Sequence, residues 1–214
     1  MSPDDRYDVS GLTEAQYEPG SDGLVLKNLL GITSSAEMDA AEANALIEAM
    51  DRLVRLYDAE HRFTAKDICE FHRVWLGGIY AWAGEYRQVN VSKGNFMFAA
   101  AGRISALMSE FERDVLARCT PCKFETTEKI VSALAVTHVE LVLIHPFREG
   151  NGRISRVLST LMALQAGLPL LDFGAIAGDK KESYFVAVRA GLDRNYRPME
   201  KIFSEVIERS VAGS

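Results

Sequence analysis

The amino-acid sequence predicts a mainly α-helical chain with one small β-hairpin. Three observations carry that expectation. Apolar residues recur at three- and four-residue spacing through most of the chain, as on one face of a helix. One stretch, GEYRQVNVSKGNFMFA from Gly84, alternates apolar and polar residues instead. No internal repeat, low-complexity tract or linker divides the chain.

Residues 1–36 read as an N-terminal arm and lead-in segment, polar and loosely docked over residues 1–23, and residues 37–214 as one domain. From Glu37, the spacing of Ala41, Ala45, Leu46, Ala49, Met50, Leu53, Val54 and Tyr57 predicts a first helix. Thr64, with Asp67 three residues on, announces a second helix through a variant capping box. Its buried face carries Ile68, Phe71, Trp75, Leu76 and Ile79. The alternation of Val89 and Val91, the turn Lys93-Gly94-Asn95, and Phe96 and Phe98 predict the hairpin. Helical spacing returns from Ile104 to Leu116 and stops near Thr120-Pro121. A helix from about Thr126 to Ile144 is then followed by a loop, His145 to Gly150. The next helix begins near Asn151 and ends before Gly167, a C-terminal capping residue. Two more are expected around Lys180–Gly191 and Pro198–Ser210.

A chain of 214 residues, 48% hydrophobic, suits one core of ordinary size. Its net charge of −6 leaves no global footprint for nucleic acid, so any anion site must be a local concentration of positive charge. No apolar run approaches the roughly 18 residues of a membrane span, and the N-terminus lacks the pattern of a signal peptide. Three cysteines argue against a disulfide framework. A cytoplasmic protein is expected where it is made, and this is compatible with later delivery elsewhere.

The chemistry concentrates in HPFREGNGRISR, residues 145–156, which hold three arginines against one glutamate. Gly150 and Gly152 flank Asn151 where a helix starts, so unpaired amides and the helix dipole favour a phosphate there. Arg153 and Arg156 stand three apart and share a helix face toward the same anion. Beside a triphosphate, the natural task of Glu149 is to hold Mg²⁺. His145, at the edge of such a pocket, can take a proton from an incoming hydroxyl. Taken singly, each feature is as readily a turn, a helix-end histidine or a solvated arginine face. Their coincidence within twelve residues changes that balance.

The segment resembles the signature of the Fic (Fido) family, His-Pro-Phe-x-(Asp/Glu)-Gly-Asn-Gly-Arg-x-x-Arg, at every fixed position. GEYRQVNVSKGNFMFA is similar to the family's hairpin flap, and PGSDGLVLKNLLGI to the lead-in of bacterial members. The resemblance implies a Fic-type helical bundle with its core at about residues 64–207. It implies AMP transfer from Mg-ATP to a Ser, Thr or Tyr hydroxyl of a target protein. In that scheme His145 is the general base and Glu149 holds Mg²⁺. Gly150, Asn151 and Gly152 form the anion hole, and Arg153 and Arg156 engage the β/γ end. Lys93 and Gly94 lie over the nucleotide at the flap turn, and the target docks on the flap. Tyr184 is a guess for the adenine side. Doc-type kinases of the superfamily carry Lys where this chain has Gly152, so Gly152 speaks for AMP transfer.

Two alternatives stay open. One is a catalytically quiet nucleotide-binding protein that works through an antitoxin-like partner; the other is transfer of UMP or a phosphoryl group through the same pocket. Many family members are silenced by (Ser/Thr)-x-x-x-Glu, whose Glu pairs with the second motif arginine, here Arg156. Thr33…Glu37 and Ser204…Glu208 have this spacing, but Met38 and Arg209 follow where Gly or Asn is usual. A separate small antitoxin-like inhibitor is the stronger expectation. Cys119 and Cys122 lack a second ligand pair and read as structural, as do Trp75 and Trp82. His138 reads as a core histidine, and His61 and His72 show no partner pattern.

Overall fold

The computed structural model describes residues 11–94, 96–177 and 181–213. Its helices are α1 (Ser35–Leu56), α2 (Ala65–Leu76), α3 (Ile104–Phe111), α4 (Thr127–Ile144), α5 (Asn151–Gln165), α6 (Gly174–Ala177), α7 (Lys181–Ala190) and α8 (Arg197–Ala212). Strands β1 (Ser92–Lys93) and β2 (Phe96–Met97) form an antiparallel hairpin. The expected hairpin is therefore present but only two residues long on each side, because Val89 turns into the core and the chain beyond Phe98 leaves the ladder. Asn95 of the expected turn and Lys180 lie outside the described residues.

Helix starts follow local chemistry. Thr64 and Asp67 exchange side-chain and backbone hydrogen bonds in a complete capping box. Thr126 accepts from the Lys129 N–H, and Ser34 caps α1 three residues before Glu37. At the far end of α5, Gly167 (φ +76°) donates to Leu164 O and Leu168 donates to Ala163 O. This is a Schellman ending that a residue with a Cβ resists. Beyond α3 the helix passes through a π-helical turn, Glu112–Leu116, before ending at Ala117–Cys119. That turn and the short α6 leave no mark in the apolar spacing.

Helix α4 is buried almost all round and packs against α5 and α8. It is the axle of the core and delivers the functional loop at its C-terminal end. From Gly11 onward the N-terminal segment does not match the expected loose arm. Glu14 is buried and its carboxylate accepts from Gln88 N at 2.6 Å, while Leu29 N donates to Ile79 O. Tyr17 and Leu26 form a β-bridge, and Ser21 and Val25 are buried. Residues 1–10 lie outside the described set. No described helix is long and apolar enough to cross a membrane.

Candidate active site

The loop between α4 and α5 is held from below by residues of distant elements. His145 ends α4 in the left-handed region (φ 54°, ψ 60°). That conformation is uncommon for a residue with a side chain and persists only when its surroundings fix it. Arg87 does much of the fixing. Its side chain is 1% exposed, and it donates to His145 O (2.7 Å), Val89 O (2.7 Å), Ala99 O and Ile144 O. One guanidinium thus ties the helix end to both feet of the hairpin. The backbone N–H of Arg87 adds a bond to Pro146 O at 2.9 Å.

His72 of α2 holds the other end of the loop. Its Nδ1 accepts from Gly84 N (2.8 Å), so its Nε2–H donates to Glu149 O (3.1 Å). The ring stacks on Phe147, centroids 4.0 Å apart. Burial pushes its pKa down to about 4, keeping this single tautomer. Asn151 is buried, and its amide spans the loop: Oδ1 accepts from Phe147 N and Nδ2 donates to Phe147 O, both at 2.8 Å. Its side chain is therefore a clamp on Phe147. Gly150 sits at φ +81°, and a Cβ there would stand 2.5 Å from the Trp75 ring.

Above this floor lies a cavity of about 510 Å³. His145, Gly152, Arg156, Lys93, Gly94 and Tyr184 all line it, so six of the residues singled out in the sequence meet there. The Nδ1–H of His145 donates to Val142 O at 3.0 Å, a carbonyl that can only accept. The lone pair of Nε2 is therefore left for a proton. Burial, chiefly, with the Arg87 charge assisting, holds the His145 pKa down to about 4. Phe98 stacks on the imidazole, centroids 3.6 Å apart. Only the hairpin alternation hints at that contact in the residue order. Helix α5 starts without a side-chain cap, leaving its first amides, at Asn151, Gly152 and Arg153, open.

The two arginines of α5 differ. Arg153 leans away from the cavity. It pairs with buried Glu42 of α1 at 2.6 Å and with Glu149 at 3.4 Å, and lies over the Trp75 ring at 4.6 Å. Tyr80 donates to the other oxygen of Glu42 at 2.8 Å. Arg156 has no ion-pair partner among the described residues and lines the cavity. Glu37 and Glu208 are exposed, and neither they nor Thr33 and Ser204 are brought to Arg156; the Ser204 hydroxyl donates within its own helix to Glu200 O. Glu149 is half-exposed, with one oxygen taken by Gly150 N and Arg153. On the far wall His138 is buried between Ser159 and the Tyr184 hydroxyl (2.8 Å), burial holding its pKa down to about 3. It is a core histidine, as expected, and it also fixes Tyr184 in the wall. Lys93 reaches across the opening to the Phe185 ring at 4.5 Å.

Residues 62–163 match the family model described as Fic/DOC family. Proteins named protein adenylyltransferase Fic are 30% identical over 149 residues in Drosophila sechellia and 31% in Culex quinquefasciatus. Each alignment covers 69% of this chain, and the chain spans only 29% and 28% of the length of these relatives. Among solved structures, BepC of Bartonella tribocorum with bound AMPPNP shares the fold at a TM-score of 0.71. It is 20% identical, and the match covers 90% of this chain and 96% of that one. A Fic-domain signaling protein of Bacteroides thetaiotaomicron matches at 0.68 and 21% identity, over 99% of this chain and 90% of its own.

Proposed function

The chain belongs to the Fic/DOC family, and from that premise we propose that it transfers AMP from ATP to a hydroxyl of a target protein. One observation carries the reading. His145, with Nδ1 committed to Val142 O and Nε2 left as a base, opens on the same cavity as the uncapped start of α5 and Arg156, which has no ion-pair partner among the described residues.

The hydroxyl oxygen of the target attacks the α-phosphorus of ATP, and its proton passes to His145 Nε2. The bond from the α-phosphorus to the bridging oxygen breaks, and pyrophosphate leaves with that electron pair. The backbone amides of residues 151–153 and the guanidinium of Arg156 stabilise the charge that builds on the phosphates. A histidine of pKa about 4 is unprotonated at neutral pH, as a base must be, and the nearby phosphates raise its proton affinity. Glu149 suits Mg²⁺, since one carboxylate plus phosphate oxygens is a usual set for this hard ion. When bound, the ion supplies charge neutralisation of the phosphates. Lys93 and Gly94 close over the nucleotide, and an extended target segment adds to the exposed edge of β1.

The reading includes a separate small antitoxin-like protein that supplies an inhibitory carboxylate. The lack of an ion-pair partner for Arg156 among the described residues supports this. It also includes a cytosolic site of action, either in the producing cell or in a cell to which the protein is delivered. The test is incubation with ATP labelled at the α- or the γ-phosphate. Label from the α position alone is expected; label from γ alone would establish kinase chemistry, and none would leave a silent binder. His145→Ala is expected to lower transfer by at least about 100-fold while ATP binding persists.

A further inference from the structure

The hairpin has a free side. Phe98 N donates to Val91 O, and Ser92 faces Met97 in the register. Because hydrogen-bonded and non-hydrogen-bonded pairs alternate, the N–H and C=O of Ser92 point away from β2. Beside this edge lies a groove of about 300 Å³, bounded by Ala15, residues 89–92 and Arg148. Arg148 is the variable position of the motif, three residues after His145. Its Nε donates to Glu14 O at 3.0 Å, which anchors the guanidinium. It has no carboxylate partner among the described residues, and the Glu14 carboxylate is spent on Gln88 N at 2.6 Å. Among the described residues, the positioned arginine keeps most of its planar donors unspent.

We propose that Arg148 selects an acidic side chain in the target segment, so that the substrate is an extended stretch bearing a hydroxyl with an Asp or Glu close by. This rests on the AMP-transfer reading above and names the class of its substrate. Strand addition positions the target through main-chain bonds and is nearly blind to sequence. A fixed guanidinium in the groove adds the missing discrimination, because a carboxylate meets it with charge-assisted, two-pronged hydrogen bonds while a lysine is repelled. The build of the groove agrees. Its wall at Ala15 and Glu14 is docked, so Arg148 is held at a fixed point along the edge.

The test is a set of extended peptides, each with one Thr or Tyr, scanned with Asp, Lys or Ala at each neighbouring position and incubated with α-labelled ATP. Labelling of the best Asp peptides is expected to exceed their Lys counterparts about tenfold. Arg148→Glu should reverse that order, and Arg148→Gln, which keeps a donor to Glu14 O, should abolish it. Thermal melts confirm that both variants are folded. Labelled peptides with no acidic preference, or a preference unmoved in the two variants, would overturn the role of Arg148 and leave AMP transfer standing. Labelling of the chain itself with no peptide labelled would also overturn it. An absence of label on peptides and chain alike would instead remove the AMP-transfer reading, and this inference with it.

Discussion

The floor of the cavity and its rim are built on opposite plans. The floor, residues 145–153, is held by His72, Arg87, Trp75 and the amide of Asn151. The rim is a hairpin of two-residue strands and the helices α6 and α7, with Met97 64% and Val186 53% exposed. Arg153 and Arg156 repeat the contrast one turn apart: the first is satisfied by Glu42, and the second faces the cavity with no ion-pair partner among the described residues. The difference teaches where precision is needed. The loop that carries His145 is fixed by buried partners, while the hairpin, α7 and Arg156 around the opening are lightly held.

The largest expected effect is at Arg87. Arg87→Met removes the donors to four backbone carbonyls and leaves several of them buried and unpaired. The expected loss of stability is about 3–5 kcal/mol, read from denaturant unfolding. Arg87→Lys should recover only part, since an ammonium cannot span the same fork. A loss under about 1 kcal/mol for Arg87→Met would show that the floor is not held from below.

Next comes a pair of glycines that separates floor from rim directly. Gly150→Ala meets both a positive φ and the Trp75 ring, and should cost about 2–4 kcal/mol. Gly94→Ala at the flap turn also has a positive φ (+57°) but nothing within 4 Å. It should cost about 1 kcal/mol. Equal shifts in melting temperature for the two would break the comparison.

The same division explains what the sequence revealed. Capping at Thr64, the helix start at Gly150-Asn151 and the ending at Gly167 are legible because each is set by residues within one turn. The motif was legible because its parts fall within twelve positions. Arg87 and His72 were not, since they reach the loop across 58 and 77 residues of sequence. His72 shows no partner pattern, because its hydrogen-bond partners are backbone atoms, which leave no trace in residue identity. The docking of Glu14 on Gln88 spans 74 residues and was missed for the same reason, so a polar arm was expected where a wall is built. The side-chain amide of Asn151 turns back to Phe147, which its place in the motif does not show. Arg153, assigned to the phosphates, meets a carboxylate on α1 that no local spacing foretold.

A third test uses pH. His72 lies under the floor and His138 behind the rim; both are buried and held down, to about 4 and about 3, mainly by burial. In the unfolded chain each titrates near 6.5. Their stabilising contribution is thus complete above about pH 6.5 and is lost as pH falls, because the unfolded chain takes up protons that the folded chain refuses. At pH 5 the loss is on the order of 2 kcal/mol for each. Melting temperature should fall steadily from pH 7 to 5. His145, likewise held down to about 4, adds a comparable share, so His138→Gln should flatten the slope by about a third. An unchanged slope would place the titration elsewhere.

The smallest expected effect sharpens the contrast between the two arginines. Glu42 is 3% exposed and holds Arg153 through one oxygen while Tyr80 donates to the other. A buried carboxylate so placed has two opposite consequences: it fixes the guanidinium, and it cancels the charge that a phosphate would feel. Glu42→Gln keeps an acceptor for Tyr80 but removes that negative charge beside the pocket floor. Affinity for ATP is expected to rise a few-fold at low salt, and the gain to shrink as salt is added. Isothermal titration at two ionic strengths reads both. A weaker, salt-independent affinity would instead assign Glu42 the task of aiming Arg153. That outcome would move Arg153 from the inert floor into the group that grips the nucleotide, and the two arginines would differ in how they are held and not in what they do.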